Sequence, residues 1–385
     1  MRGRVVVFVS VCLVLAPRAS LAQDVTPSPW MVMSDGLLFA TVNHQGGPRG
    51  GDEFVSTNWW MGMASRTAGK GQLTLTGMLS LDPLTATARG YRELFQSGEV
   101  YKGEPIVDRQ HPHDLMMQAA FSWRVPIDYQ TGFTIAGGPI GEPALGPTAF
   151  MHRPSAADNP AAPLGHHTLD STHIAMGVVS AALDHGPFTI EASLFNGREP
   201  DDNRWDVMDP GALDSWSVRG WYEPSPDWQF QVSHGFLKEP EAAEPGDIRR
   251  TTASGAWLKR RPDGFTAATV AVGRNDTGHG AFHTLLAEAT ERRGLTSFYG
   301  RFETAQKETL PSAVTALTLG AVRDVTKWRG YEIGLGGDVT GYVVPAAARP
   351  AYGEHPISFH LFVRIRPPMG HMSRMWNMRM TKPMS

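Results

Sequence analysis

Cysteine is almost missing from this sequence of 385 residues, since Cys12 is the only one. It lies in an N-terminal segment that has the order of a secretory signal peptide: Arg2 and Arg4, a short apolar run, and small residues up to Ala22. We therefore expect residues 1–22 to be removed on export. A mature chain without cysteine excludes disulfides, thiolate metal sites and cysteine nucleophiles.

Long apolar runs and an excess of basic residues are also missing. No continuous apolar 20-mer follows the predicted leader, which argues against a helical membrane protein. The formal net charge is −3, and a nucleic-acid partner would require a clustered basic surface. No linker divides the chain, so we expect one domain over residues 23–366, followed by a methionine-rich tail over residues 367–385.

The main pattern that is present is strict alternation of apolar and polar residues. Such period-two alternation predicts β-strands with one apolar face and one polar face. Clear examples occupy residues 72–81, 188–194, 228–236, 331–339 and 357–366. A soluble antiparallel sandwich would give the same alternation, so the pattern alone leaves open whether the apolar face meets a core or lipid.

The lengths of the connections favour a membrane barrel. Tight turns rich in Gly, Pro and Asp, as at residues 184–187 and 261–264, alternate with long links such as residues 82–112 and 138–170. This predicts an all-β fold: an antiparallel transmembrane β-barrel of roughly 16 strands (14–16), with short turns periplasmic and long loops outside.

Tryptophans near the ends of these segments fit either interfacial girdles or ordinary packing. They are Trp30, Trp59, Trp60, Trp123, Trp216, Trp221, Trp228 and Trp328. In a barrel, the charged residues of the polar face would line the lumen and tune passage. The residues expected to do so are Glu191, Arg219, Glu332, Asp338, Arg364 and Arg366.

Two histidine-bearing segments are candidates for metal binding. The first is Asp108-Arg109-Gln110-His111-Pro112-His113-Asp114, in which His111, His113, Asp108 and Asp114 would be imidazole and carboxylate ligands for zinc or copper. Ion pairs that fold the loop are the competing explanation. The second segment is proline-rich and carries His152, His166, His167 and His173. Both lie in long connections, which predicts that they meet at one mouth of the barrel.

The tail offers a softer type of ligand. Its methionines Met369, Met372, Met375 and Met378 would suit Cu(I), but packing of a flexible apolar segment against the barrel is the favoured explanation. A hydrolase is less expected. Ser155, Ser171 and Ser180 lie near histidines in the sequence, but no triad spacing singles one out.

Several segments resemble a family of bacterial outer-membrane β-barrel proteins that carries the Asp108–Asp114 motif. The other segments are residues 43–52, 58–63 and 358–360. This resemblance implies a barrel over most of the mature chain and brings no catalytic assignment. The histidine- and methionine-bearing ends are also similar in composition to copper-resistance outer-membrane proteins.

Together these features predict an outer-membrane channel for small polar solutes or ions. The alternatives are a copper- or zinc-binding outer-membrane protein and, further off, an outer-membrane hydrolase. The expected partners are outer-membrane lipid and small solutes or metal ions, without nucleic acid. The oligomeric state stays open.

Overall fold

The computed structural model describes residues 30–207, 209, 211–243, 245–307, 309–368, 376 and 378–383. The predicted signal peptide lies outside these residues, as do Met369, Met372 and Met375. In the described part of the chain, no helix is long and apolar enough to cross a membrane.

Sixteen antiparallel strands form one closed sheet. Their bounds are β1 (Met31–Gln45), β3 (Asn58–Ala68), β4 (Gly71–Leu79), β7 (Met116–Pro126), β8 (Thr131–Gly141), β9 (Ala175–His185), β10 (Phe188–Phe195), β11 (Ser215–Ser225), β12 (Trp228–Leu237), β13 (Ile248–Arg261), β14 (Gly264–Thr277), β15 (Gly280–Arg293), β16 (Thr296–Ala305), β17 (Val314–Trp328), β18 (Tyr331–Val343) and β19 (Ile357–Arg366). The predicted barrel of roughly 16 strands is confirmed.

The barrel closes between its first and last strands. The first half of β1 pairs with β3, and its second half pairs with β19, where Leu38 lies opposite Ile365 and His44 opposite Phe359. A short strand, β2 (Gly51–Val55), folds back on the end of β1. Closure leaves no free sheet edge, which a lipid environment requires.

Short and long connections lie at opposite ends of the barrel. The seven hairpins β3–β4, β7–β8, β9–β10, β11–β12, β13–β14, β15–β16 and β17–β18 are joined by turns of two to four residues. The other end carries eight loops: L1 (46–57), L2 (80–115), L3 (142–174), L4 (196–214), L5 (238–247), L6 (278–279), L7 (306–313) and L8 (344–356). By the usual orientation of such barrels, the short turns are periplasmic.

Besides L1, which contains β2, three loops contain structure of their own. L2 holds α1 (Asp82–Thr85) and a hairpin of β5 (Tyr91–Tyr101) and β6 (Glu104–Gln110). L3 holds α2 (His166–Leu169) between two 3-10 turns, Phe150–His152 and Ser171–His173. L8 holds the 3-10 turn Ala346–Ala348 and α3 (Arg349–Tyr352). L6 has only two residues, so the sorting of long connections is less regular than the sequence predicts.

The strands are apolar outside and polar inside. On β10, Phe188, Ile190 and Leu194 are more than half exposed, whereas Glu191 and Ser193 between them are buried. An apolar outer face of this kind is compatible with the hydrocarbon core of a membrane, because apolar side chains can contact lipid there.

The predicted girdle tryptophans fall into two groups. Trp60, Trp216, Trp228 and Trp328 lie exposed on the outer surface, while Trp59 and Trp221 are buried inside. A girdle role is therefore wrong for those two.

Candidate functional site

The predicted lumen residues all lie on the inward face of the barrel and are buried there. Glu191 is 2.7 Å from Arg219, and Asp338 is 2.7 Å from His360. Arg364 contacts the carboxylates of Asp158 and Asp324. Arg366 lies 3.1 Å from Asp158 and 3.8 Å from Glu332. Their effect on passage stays a prediction.

These charges are buried because L3 folds into the lumen. Arg153 of L3 lies 2.7 Å from Glu288 on β15, and Asp158 reaches Arg364 on β19. Backbone groups of L3 are bound as well: Arg301 donates to the Ala161 carbonyl at 2.9 Å, and Ser233 accepts from the Gly146 amide at 2.9 Å. L3 is thus attached to several wall strands, as expected for a structural element that narrows a lumen.

The described tail residues 376 and 378–383 occupy the lumen from the other end. Arg379 lies 2.8 Å from Glu191 and 4.6 Å from the centre of the Trp221 ring, and Thr381 donates to Glu191. Lys382 pairs with Glu223 at 2.8 Å, and Trp376 donates to the Pro226 carbonyl in a periplasmic turn. The cavities between L3, the tail and the wall measure about 30 and about 10 Å³. These two parts of the lumen are therefore closely packed.

The histidines of L2 and L3 come together, as the sequence predicts for two segments at one mouth. The ring centre of His166 lies 5.5 Å from the ring centre of His167 and 5.3 Å from that of His173. His111 lies 6.2 Å from His166 and 5.9 Å from His167. His113 lies 6.0 Å from His173. Among the described residues, the histidine-containing group whose ligand atoms are close enough for a single metal ion is His167 with Glu199 and Glu241, so the five imidazoles are neighbours without forming a three-imidazole site in this arrangement.

Each of these five imidazoles has an oxygen beside its Nδ1 atom. Three of the oxygens belong to carboxylates: Asp82 beside His113, Asp170 beside His166 and Glu199 beside His167. The other two are backbone carbonyls, that of Asp170 beside His173 and that of Pro112 beside His111. Metal-binding histidines are usually oriented in this way, with one ring nitrogen held by an acceptor and the other facing the metal. We name the set His111, His113, His166, His167 and His173 the histidine cluster.

Burial and nearby carboxylates set different charges within the histidine cluster. Burial lowers the pKa of His166 to about 3 and the pKa of His173 to about 4, so both rings are neutral and can act as ligands. Burial acts on His167 in the same direction, but Glu199 and Glu241 outweigh it and raise the pKa of His167 to about 10. The ligand atoms of His167, Glu199 and Glu241 all lie within 4.8 Å of one another, an arrangement that can also hold a cation.

Three residues of the predicted metal set lie elsewhere. Asp108 contacts Arg49 and accepts from the Phe95 amide at 2.9 Å, and Asp114 pairs with Arg204 at 3.1 Å. Both carboxylates therefore tie loops together. His152 packs edge-on against Trp59, with ring centres 5.1 Å apart, instead of joining the histidine cluster.

The serines nominated for hydrolysis have partners other than histidine. Ser155 bonds to Thr269 and Glu288, Ser171 accepts from Arg250, and Ser180 pairs with Ser193. Within the described residues, no hydrogen bond joins any of these three serines to an imidazole. In the part of the chain that the structure describes, none of the three is therefore half of a serine–histidine pair.

A methionine patch on the inner wall was not predicted from the sequence. Met61 and Met63 of β3, Met78 of β4 and Met117 of β7 are all buried in the lumen. The signal was available, because the two-residue turn between β3 and β4 fixes their register and places Met61 opposite Met78.

An arginine-lined cavity opens at the loop end, between L1 and L2. It measures about 630 Å³, and its charged lining residues are Arg49, Arg89, Arg92, Arg109 and Asp108. Arg49 contacts Asp108 and Arg109 lies 3.2 Å from Glu53, whereas Arg89 is exposed. The excess of positive charge makes this mouth attractive to anions.

Comparisons with known proteins place the fold among porins. No family model matches the sequence, and no curated protein matches it. Among solved structures, the chain is similar to an anion-selective porin from Comamonas acidovorans, with a TM-score of 0.53, 12% identity, and coverage of 88% of this chain and 99% of that one. It is also similar to a loop-deleted OmpT of Vibrio cholerae, with a TM-score of 0.51, 11% identity, and coverage of 88% and 100%. For OmpF of Salmonella typhi, the TM-score is 0.51, the identity 9%, and the coverage 86% and 97%.

Proposed function

We propose that this protein is a porin-like channel of the bacterial outer membrane that passes small polar solutes or ions. The observation that carries the proposal is a closed 16-strand barrel with an apolar outer face and an ionised inner wall. Barrels of this size leave room for an aqueous channel once nothing fills the lumen. L3 and the tail then set how far the channel opens.

The arginine-lined mouth supports a preference for anions. A cleft lined by one sign of charge raises the local concentration of ions of the opposite sign. One of the structural neighbours, at 12% identity, is itself described as an anion-selective porin. Small anions are therefore the proposed solutes.

Planar-bilayer recordings test this function. Protein with its full tail is expected to give discrete current steps, and the reversal potential in a salt gradient should favour anions. Arg89→Glu should shift the reversal potential towards cations, because the exposed Arg89 contributes charge to the mouth. The matched control is Arg329→Glu in the β17–β18 turn at the opposite end. A folded barrel that stays silent both with its tail in place and with its tail released would overturn the proposal.

Binding of a divalent transition metal is a second candidate function, and the histidine cluster is the observation that favours it. Five imidazoles from two loops lie next to one another with their Nδ1 atoms held by oxygen acceptors. Imidazole suits Zn(II) and Cu(II). In this function, L2 and L3 would be bridged by the metal, and the barrel would serve as its rigid support.

Calorimetry with Zn(II) and Cu(II) tests the cluster. His111→Ala with His113→Ala removes the L2 half and should weaken binding roughly tenfold to a hundredfold, because direct ligands are lost. Heat-modifiable migration should stay unchanged, because neither residue is part of a barrel strand. The double substitution His185→Ala with His279→Ala, at exposed positions on the barrel, serves as the control. Equal affinity of all three proteins would reject the site.

A further inference from the structure

A small cavity lined by methionines lies within the lumen, against the wall formed by β3, β4 and β7. It measures about 30 Å³, which is room for one water molecule or one ion. Six thioether side chains line it: Met61, Met63, Met78, Met117, Met378 and Met380. We call it the methionine cavity.

The barrel wall builds most of this lining. Met61 lies opposite Met78 across the β3–β4 pair, and Met117 is on β7, the next strand. None of Met61, Met63, Met78 and Met117 is more than 3% exposed. Inward positions on other strands carry charges and hydroxyls, such as Glu191 on β10. The thioethers are therefore a local departure from a polar lumen.

Two imidazoles complete the lining and point to a ligand. His152 and His173 both border the methionine cavity. The Nδ1 atom of His152 and the Nε2 atom of His173 are buried, and neither has a hydrogen-bond partner among the described residues. A buried polar atom without a hydrogen-bond partner destabilises the fold, so two such atoms beside one cavity indicate a compensating ligand.

We infer that the methionine cavity binds one soft monovalent metal ion, Cu(I) or Ag(I), through its thioethers and an imidazole nitrogen. Thioether sulfur is a soft ligand that selects Cu(I) over the hard cations abundant outside the cell, and imidazole suits copper as well. Two charged residues, Glu142 and Arg379, also border the cavity, but Glu142 is paired with Arg219 at 3.2 Å and Arg379 with Glu191 at 2.8 Å. The site is thus built of neutral ligands, which fits a monovalent ion.

This site does not rest on conduction or on the divalent site. His173 borders both the methionine cavity and the histidine cluster, and its Nε2 atom can bind only one of the two ions, whereas the thioethers and His152 belong to the methionine cavity alone. Zn(II) prefers nitrogen and carboxylate oxygen, and it binds thioethers poorly. Zn(II) and Ag(I) titrations of the same protein therefore separate the two proposals.

The test uses the full chain in detergent micelles, titrated with Ag(I) by calorimetry and with Cu(I) by competition against a chromophoric chelator under reducing, anaerobic conditions. Wild type should bind one equivalent of either ion. Met61→Leu with Met117→Leu should weaken binding roughly a hundredfold, because two soft ligands are replaced by hydrocarbon. Leucine has nearly the volume of methionine, so the packing of the wall is retained.

Met33→Leu with Met151→Leu provides the matched control, since both residues pack in the same apolar cluster but do not line the cavity. Its affinity should stay within about threefold of wild type. If the first variant does not fold, as shown by loss of heat-modifiable migration, Met378→Leu in the tail replaces it. Absence of Ag(I) and Cu(I) binding, or equal weakening by the cavity and control variants, would overturn the inference.

Discussion

Releasing the C-terminal tail from the lumen is expected to raise single-channel conductance by roughly tenfold or more, since 16-strand barrels without a plug hold an aqueous channel. Arg379→Ala with Lys382→Ala should achieve this in the full chain. Arg379 is 2% exposed and lies between Glu191 and Trp221, and Lys382 holds Glu223. Arg379→Ala removes one of the two guanidinium groups beside Glu191, which keeps Arg219 at 2.7 Å, and Lys382→Ala removes the ion pair with Glu223. The charged contacts that hold the tail in the lumen are therefore lost, while the wall keeps its own ion pair.

The measurement is single-channel current in planar bilayers, together with protease digestion of the tail. Lys259→Ala with Arg293→Ala removes the same two charge types at exposed positions near the periplasmic turns and should leave the current unchanged. A protease-accessible tail without a rise in conductance would show that the tail is not the plug, and that L3 alone closes the lumen.

The barrel could be predicted from the sequence because the alternation of apolar and polar side chains along a strand is a local pattern. A period of two residues fixes which side chains face inward, so Glu191, Arg219 and Arg364 are assigned to the lumen without knowledge of any partner. Tight turns fix the register of each hairpin, and the sum of the strands then gives the closed sheet. The same alternation along β3 places Trp59 and Met61 on the inward face.

The contents of the lumen could not be predicted in this way. Asp158 and Arg364 are 206 positions apart, and L3 has no periodic pattern to indicate which wall strands it meets. Their contact follows from pairing of buried charges, which depends on the closed fold. The histidine cluster was predicted only as a meeting of two loops, because Asp82, Glu199 and Glu241 lie outside both motifs.

Replacing Asp158, which anchors L3 to the barrel wall, is expected to have the second large effect on stability and conductance. Asp158 is fully buried beside Arg364 and Arg366. Arg292, Asp324 and Glu332 complete the group, which therefore holds three arginines and three carboxylates. Burial opposes ionisation of Asp158, but the two arginines outweigh it and hold the pKa of this carboxyl below its usual range. A lowered pKa stabilises the folded state at neutral pH, and that contribution is lost as the pH falls below about 4.

Asp158→Ala should therefore destabilise the barrel by about 3–5 kcal/mol, because it leaves an uncompensated arginine in the lumen. L3 should become sensitive to protease, and conductance and anion preference should both rise, since the freed guanidinium groups now face the passage. The temperature of the heat-modifiable transition measures the first effect. Asp52→Ala is the control, because its carboxylate is 79% exposed beside His44 and such surface pairs contribute at most about 1 kcal/mol. Asp158→Ala with Arg364→Met restores the charge balance and should recover part of the transition temperature. If Asp158→Ala and Asp52→Ala shift that temperature equally, the ion pairs seen around Asp158 do not hold L3 in place.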